Sequence, residues 1–496
     1  MTPAEASVPT TIEDLRRRGR VHLIGAGGAG MSAIAALLSA RGLDVSGSDA
    51  RDGVALMALR DAGVSVQVGH AAAHVDGAGS VVVSTAIRPT NPELERAVQL
   101  GVPVLHRSAA LAALMADRRA VAVAGAHGKT TTSAMVAVAL GHAGLDPSYA
   151  IGGTVLAAGV ATGRTPDAAP AFGGAHHGSS DVFVAEADES DGSFLAYSPS
   201  IAVVTNVEPD HLDHYGTREA FEQAFVDFAG RIRPDGWLVA CADDPGSWAL
   251  ARRAASLGVR VRTYGTRSDV DVRVGPWVGA TGGVPGGSTT LHEVGEPPVE
   301  LRLAVPGAHN ALNAAAAWTV ARLLGVEAAD AAAGLAAFRG TGRRFEDRGE
   351  RGGVRVVDDY AHHPTEVAAL LRAARQVAGQ GRVLVLFQPH LYSRTAAFAG
   401  EFGEALALAD VVVVTDIYAA REDPDPRVTS ALITERIPSG PEVLLIGDRY
   451  EAAEAVGRAA RPGDLVLTVG AGDVTELAPA VLAALSDSAV DPAVER

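Results

Sequence analysis

The 496-residue chain has one cysteine, Cys241, so no disulfide can form within it. That fits a reducing compartment, and a single cysteine is more often a small buried residue than a nucleophile. The chain also lacks a basic surplus: 42 Lys plus Arg stand against 58 Asp plus Glu, for a formal net charge of -16. Nucleic-acid binders show the opposite balance, so no nucleic-acid partner is expected. No uncharged apolar run reaches the ~18 residues that a membrane span needs. Residues 1–20 contain Glu5, Glu13 and Asp14 and no apolar stretch of the kind found in a signal peptide. The expectation is a cytoplasmic protein with no membrane partner; the oligomeric state stays open.

Lysine is the most informative scarcity. Of the 42 cationic side chains only Lys129 is a lysine, and arginine serves everywhere else. One retained lysine suggests a position where a broad planar guanidinium cannot replace a compact ammonium.

What is present is an ordinary globular composition, 48% hydrophobic and 20% charged, long enough for about three domains. Short apolar strands alternate with Ala/Leu-rich helices, the pattern of an α/β protein. The first unit, 1–118, reads as a Rossmann-like domain. Its strand Val21–Ile24 runs into Gly25-Ala26-Gly27-Gly28-Ala29-Gly30 and a helix over Met31–Ala40, and a second strand ends near Asp49. Val64–Val68 and Val81–Ser84 continue the series, and Pro89 and Pro92 punctuate a loop. The second unit, 119–339, opens on the strand Ala120–Ala124 and includes buried-strand candidates Val182–Ala185 and Ile201–Val204. It also holds a Gly/Pro/Ala-rich loop over 163–180, Gly-rich turns over 275–288 and a helix over Ala311–Leu324. The third unit, 340–496, carries buried-strand candidates at Val354–Val357, Arg382–Leu386, Val411–Thr415, Val443–Ile446 and Leu465–Val469.

The chemistry gathers where strands end. Gly125-Ala126-His127-Gly128-Lys129-Thr130-Thr131 lies between a strand and a helix. There, backbone N–H groups and the helix N-terminus can cradle phosphates, with the lysine as point charge and a threonine hydroxyl able to ligate Mg²⁺. The spacing is not the standard phosphate loop, because Val123 stands where the first glycine would be; a plain glycine turn into a helix is the bland alternative. Glu186-Ala187-Asp188-Glu189-Ser190-Asp191 ends another strand, and carboxylates so placed in a nucleotide enzyme hold Mg²⁺ or polarise its waters. A solvated acidic loop is the competing reading. Glu208-Pro209-Asp210-His211 follows a third strand and makes His211 a further candidate ligand, although a lone histidine is more often structural. Asn310 and Asn313, two of only four asparagines, share a helix face behind His309 and could read a base edge, with helix capping as the alternative for Asn310. Two polar stretches, Asp358 to Glu366 and Phe387 to Thr395, follow strands of the third unit.

Taken together, seven strings in order resemble the Mur ligase family over nearly the whole chain: GAGGAGM, AGAHGKTTT, EADESDGSFL, TNVEPDHLDHYG, PGAHNALN, DDYAHHPTE and FQPHLYSRT. The resemblance implies a UDP-sugar domain, a P-loop ATPase-type central domain and a C-terminal dinucleotide-fold-like domain that brings the amino acid. It implies ATP and Mg²⁺ as cofactors. It also implies a reaction in which L-alanine is joined to the lactyl carboxylate of UDP-N-acetylmuramate through an acyl phosphate. By resemblance, Gly125, Ala126, His127, Gly128, Lys129, Thr130 and Thr131 hold the phosphates, with Lys129 on the β/γ-phosphates. Thr130, Glu186 and His211 look like metal ligands. His309, Asn310 and Asn313 look like adenine contacts, and Arg343 and Asp359 fall where the third domain meets ATP. Gly25, Gly27, Gly28, Gly30 and Asp49 match the UDP-sugar side. Tyr360, His390 and Arg394 match the amino-acid side; Lys129, Glu186, His211 and Arg394 carry the chemistry.

Two departures stand out. Ala126 replaces a usual threonine, and Leu391 stands where some members have arginine, which leaves Arg394 to grip the alanine carboxylate. Relatives that add later amino acids resemble one another in a carbamylated lysine near the second metal. This chain has no lysine for that role, which favours the L-alanine type. Three alternatives remain at this level. One is a ligase recycling a whole tripeptide onto the same sugar nucleotide. The second is an NAD-dependent oxidoreductase, suggested by Gly25–Gly30 with Asp49 about twenty residues on. The third is a non-catalytic ATP-binding module.

Overall fold

The computed structural model describes residues 11–157, 173–209, 212–420 and 422–487. The chain divides into two compact units, Met1–Pro276 with Thr290–Leu301 and Leu312–Phe338, and Trp277–Thr289 with Arg302–Ala311 and Arg339–Arg496. Among the described residues no helix is long and apolar enough to cross a membrane.

Among the described residues, two large sheets are built mainly from the first unit. One has five parallel strands in the order Ser65–Val68, Val45–Asp49, Val21–Ile24, Ser80–Val83, Val104–His106. Val21–Ile24 is buried throughout, as expected of a central parallel strand covered on both faces. The next helix starts at Ala29, two residues earlier than its apolar run suggests, with Gly28 as its N-cap, and ends at Ala40. Pro92 does not sit in a loop: it opens the helix Pro92–Leu100. Asn91 accepts hydrogen bonds from Glu93 N and Leu94 N, and a proline at the first helical turn loses no intrahelical bond, so Asn-Pro here is a start signal.

In the second sheet Arg119–Ala124 lies between Val182–Glu186 and Ile201–Val204, parallel to both. Beyond Val182–Glu186 comes Ser148–Ala150, and beyond Ile201–Val204 come Trp237–Cys241, Arg260–Gly265 and Val272–Val274. The chain therefore departs to both sides of Arg119–Ala124. Such a switch point leaves a crevice at the carboxyl ends of the strands, where α/β proteins bind ligands. Of the 163–180 loop, 163–172 lie outside the described residues, and Ala175–His176 forms a short antiparallel strand.

The second unit has a six-stranded sheet ordered Glu346–Arg351, Val354–Asp359, Leu465–Val469, Val383–Phe387, Val411–Val414, Glu442–Leu445. Only Glu346–Arg351 is antiparallel. The strand expected at Val443–Ile446 is present as Glu442–Leu445 but is not buried: it is the sheet edge, and Leu445 is exposed. Its apolar run reads like a core strand because sequence carries no mark of strand order.

Candidate active site

The loop after Arg119–Ala124 has Gly125 and Gly128 at positive φ, 131° and 81°, and the helix Lys129–His142 begins directly after Gly128. A left-handed residue at this turn favours glycine, and it points the first helical N–H groups into the crevice. The Lys129 ammonium donates to Gly125 O at 2.6 Å, to Ala126 O at 3.3 Å and to Glu189 Oε1 at 2.7 Å. Glu189 is 1% exposed, and its other oxygen has no hydrogen-bond partner among the described residues. Burial pushes Glu189 up to about 7 against the pull of Lys129, whereas burial alone would lower Lys129 but Glu189 holds it above its ordinary value.

Thr130 Oγ1 donates to Glu186 Oε1 at 3.0 Å, and Gly152 N donates to Glu186 Oε2 at 2.8 Å. Glu186 pairs in register with Val123, so the carboxylate ends its strand level with the start of the phosphate loop. On the other side Thr205 Oγ1 donates to His127 O at 2.6 Å, and the Asn206 amide both donates to His127 O and accepts from His127 N. The His127 ring lies 3.2 Å from Glu208. The three strand ends named from sequence thus meet at one loop, with Asn206 as an unforeseen brace. Asp188 is paired with Arg107 at 2.5 Å; burial would raise it, but Ser190, Arg107 and Lys129 hold it at about 2. Thr131 lies in the first turn of the Lys129–His142 helix. His211 lies outside the described residues.

His309, Asn310 and Asn313 share the helix Ala308–Leu323. Asn310 is buried and donates to Pro306 O at 2.8 Å, a local bond of the helix-start kind. Asn313 Oδ1 lies against Gly128, 2.7 Å from where a β-carbon there would be. Burial, reinforced by Arg344, holds His309 down at about 4.

In the first sheet, Gly25 N and Ala26 N donate to Ser48 O, and Gly27 N donates to Asp49 Oδ2 at 2.9 Å. Gly28 ends the turn, and Gly30 lies in the helix that follows. Asp49 therefore closes onto the glycine loop itself. Sequence reading missed what stands beside it. Glu93, fully buried, accepts from Ser48 Oγ at 2.5 Å and Ala71 N at 3.1 Å, and it meets His74 Nδ1 at 2.6 Å and His22 Nε2 at 3.3 Å.

In the second unit Asp359 accepts from Phe345 N and Ala361 N, both at 2.8 Å, and burial pushes it up to about 6. Arg343 donates to Gly470 O at 2.7 Å, and its guanidinium lies 4.7 Å from the Tyr360 ring centre. Arg394, 6% exposed, stands 3.3 Å from His390 Nδ1. His362, part of the Asp358–Glu366 stretch but given no role there, and Tyr418, which lies outside every motif, border the same group.

Comparison with known proteins identifies three family patterns along the chain. The patterns described as Mur ligase family, catalytic domain; Mur ligase middle domain; and Mur ligase, glutamate ligase domain match residues 20–119, 123–321 and 343–472. The UDP-N-acetylmuramate–L-alanine ligase of Kineococcus radiotolerans is 59% identical over 481 residues, 96% of this chain and 98% of its own. That of Renibacterium salmoninarum is 55% identical over 476 residues, 96% and 98% of the two chains. The crystal structure of UDP-N-acetylmuramate–alanine ligase from Thermotoga maritima superposes with a TM-score of 0.75 at 29% identity, covering 95% of this chain and 99% of that one.

Proposed function

Since the chain belongs to the Mur ligase family, we propose that it is the ATP-dependent ligase that joins L-alanine to the lactyl carboxylate of UDP-N-acetylmuramate, in the cytoplasm, during peptidoglycan precursor synthesis. The observation that carries this is full-length identity above one half to ligases of that name. The proposed domains are 1–118 for the UDP-sugar, 119–339 for ATP and 340–496 for the amino acid.

The geometry around Lys129 suits the chemistry. A carboxylate attacking the γ-phosphorus of ATP brings anions together, so positive charge must already be in place. Lys129 is held charged by Glu189 and would shift onto the β/γ-phosphates, while the Lys129–His142 helix start supplies N–H donors. Thr130 Oγ1 and the Glu186 carboxylate form an all-oxygen pair next to that helix start, the donor type Mg²⁺ prefers. They would hold the ion, with His211 as a third candidate, and Mg²⁺ there would supply charge neutralisation on the phosphates. ADP leaves as the acyl phosphate forms. The amine of L-alanine then attacks the acyl carbon, the C–O bond breaks, inorganic phosphate leaves and the nitrogen gives up a proton, with the alanine carboxylate gripped by Arg394 beside His390 and Tyr360. Water must be kept out until the amine arrives, which closure of the amino-acid domain would achieve.

The test is phosphate release with UDP-N-acetylmuramate and ATP across a panel of amino acids and the tripeptide L-alanyl-γ-D-glutamyl-meso-diaminopimelate. L-Alanine should be the preferred acceptor. Preference for the tripeptide would transfer the reading to the recycling ligase, and release without any amine would point to an ATPase.

A further inference from the structure

The amino-acid side of the second unit contains an aromatic residue with no role so far. Tyr418 follows the Val411–Val414 strand, and His390 follows the Val383–Phe387 strand. The two segments are tied at these two residues: Tyr418 N donates to Pro389 O at 2.8 Å, and Leu391 N donates to Tyr418 O at 3.0 Å. Beyond His390 the chain turns sharply, with Leu391 at φ 70°, a conformation uncommon for a bulky residue. The helix Tyr392–Leu406 then begins and carries Arg394 in its first turn.

This backbone clamp places the Tyr418 and His390 rings nearly parallel, 16° apart with centres 5.9 Å apart. The tyrosine is backed by Gly472, where a β-carbon would come within 2.6 Å of Tyr418 Cγ. On its other sides His390 meets the edge of His362, centres 5.7 Å apart, and the Arg394 guanidinium at 3.3 Å from Nδ1. Arginine has only donors, so Nδ1 accepts and the imidazole proton sits on Nε2. Arg394 and His390 then both present N–H donors, and a buried guanidinium suits an anion.

We propose that Tyr418 is a positioning residue for the amino-acid substrate: seated on Gly472, its ring holds the His390 imidazole in the plane that lets His390 and Arg394 bind the substrate carboxylate together. The ring, not the hydroxyl, performs this, because the contact is stacking. The inference rests on the assignment of Arg394 and His390 to the alanine side.

The experiment measures KM for L-alanine, ATP and UDP-N-acetylmuramate in the full-length enzyme and in Tyr418→Phe, Tyr418→Ala, Tyr418→Leu, His390→Ala and Arg394→Ala. Tyr418→Phe should stay within about twofold of the parent, and Tyr418→Ala and Tyr418→Leu should raise KM for L-alanine about tenfold, the scale of one lost aromatic contact. Their KM values for the two nucleotides should not move. Unchanged KM for L-alanine in Tyr418→Ala, or a parallel rise in all three constants, overturns the proposal. If His390→Ala and Arg394→Ala raise the alanine KM while Tyr418→Ala does not, the site assignment stands and only the role of Tyr418 falls. If none of the three raises it, the assignment itself is wrong and the proposal goes with it.

Discussion

Lys129, partly exposed, and the buried Glu189 form an ion pair across the phosphate loop, with Nζ 2.7 Å from Oε1. The only lysine of the chain thus has its ammonium enclosed by one carboxylate and two loop carbonyls. A guanidinium carries five donors in a planar fork and cannot match three acceptors gathered about a point. Lys129→Arg should therefore lower turnover by about a hundredfold or more, the scale of a lost oxyanion donor. Its circular dichroism should remain native. Near-normal turnover in the folded variant would refute the idea that the lysine is irreplaceable.

Glu189 makes a separate prediction about stability. Its native value of about 7 lies above its ordinary 4.5 because of burial. Between those two values the native state holds a proton that the unfolded state has released, so this contribution is complete below 4.5 and is lost as pH rises through about 7. Glu189→Gln removes it. The melting temperature of the parent, taken relative to Glu189→Gln in the absence of nucleotide, should fall as pH rises through that window. A flat difference would show that Lys129 keeps Glu189 ionised throughout.

Gly152 tests the metal assignment without touching a ligand. Its N–H holds Glu186 Oε2, and a β-carbon there would lie 2.9 Å from that oxygen. Gly152→Ala should displace the carboxylate and raise the Mg²⁺ concentration for half-maximal activity by about tenfold, roughly the effect of disturbing the groups that orient a ligand. Glu186→Ala should stay inactive even at saturating Mg²⁺. An unaltered Mg²⁺ titration in Gly152→Ala would mean that Glu186 does not serve the ion.

Much of this centre was legible in the sequence because each part is local. A glycine turn between an apolar strand and a helix, or a carboxylate at the end of a strand, needs only neighbours to be recognised, and parallel pairing then brings the ends together. The misses are of another kind. Glu93 meets His22 across 71 positions, and Tyr418 meets His390 from a different strand, so no spacing rule links them. Pro92 was misread because proline marks both loops and helix starts, and only Asn91 ahead of it tells them apart. The Glu442–Leu445 strand was misplaced in depth because hydrophobicity does not report position in a sheet.

The N-terminal glycine loop should bind the UDP part of the substrate and not NAD. Asp49, which in a dinucleotide-binding reading would take a ribose hydroxyl, is bonded to Gly27 N in this structure. Titration calorimetry on the full-length protein should show UDP-N-acetylmuramate binding and no heat with NAD. Tight NAD binding without sugar-nucleotide binding would reverse the assignment.

The last expectation concerns Glu93, which lies in the first turn of the helix Pro92–Leu100 with its carboxylate fully buried against the first sheet. Burial alone would raise it, but hydrogen bonds with His22, Ser48 and His74 outweigh that and lower it to about 2 from an ordinary 4.5. The ionised form is therefore the one the fold is built around. Its contribution is present above 4.5 and is lost as pH falls from there toward 2, where the native carboxylate takes up its proton. Glu93→Gln keeps the size but sets an amide N–H₂ among groups that already donate, Ser48 Oγ and Ala71 N among them. At neutral pH the substitution should cost about 3 kcal/mol or more, as for a broken buried charged network. Scanning calorimetry of parent and variant at pH steps from 7 to about 3 should show the gap between their melting temperatures narrowing below 4.5, since only the parent loses a carboxylate there. A small gap at neutral pH, or one that does not narrow in acid, would mean that the histidines and serine around Glu93 hold together without its charge.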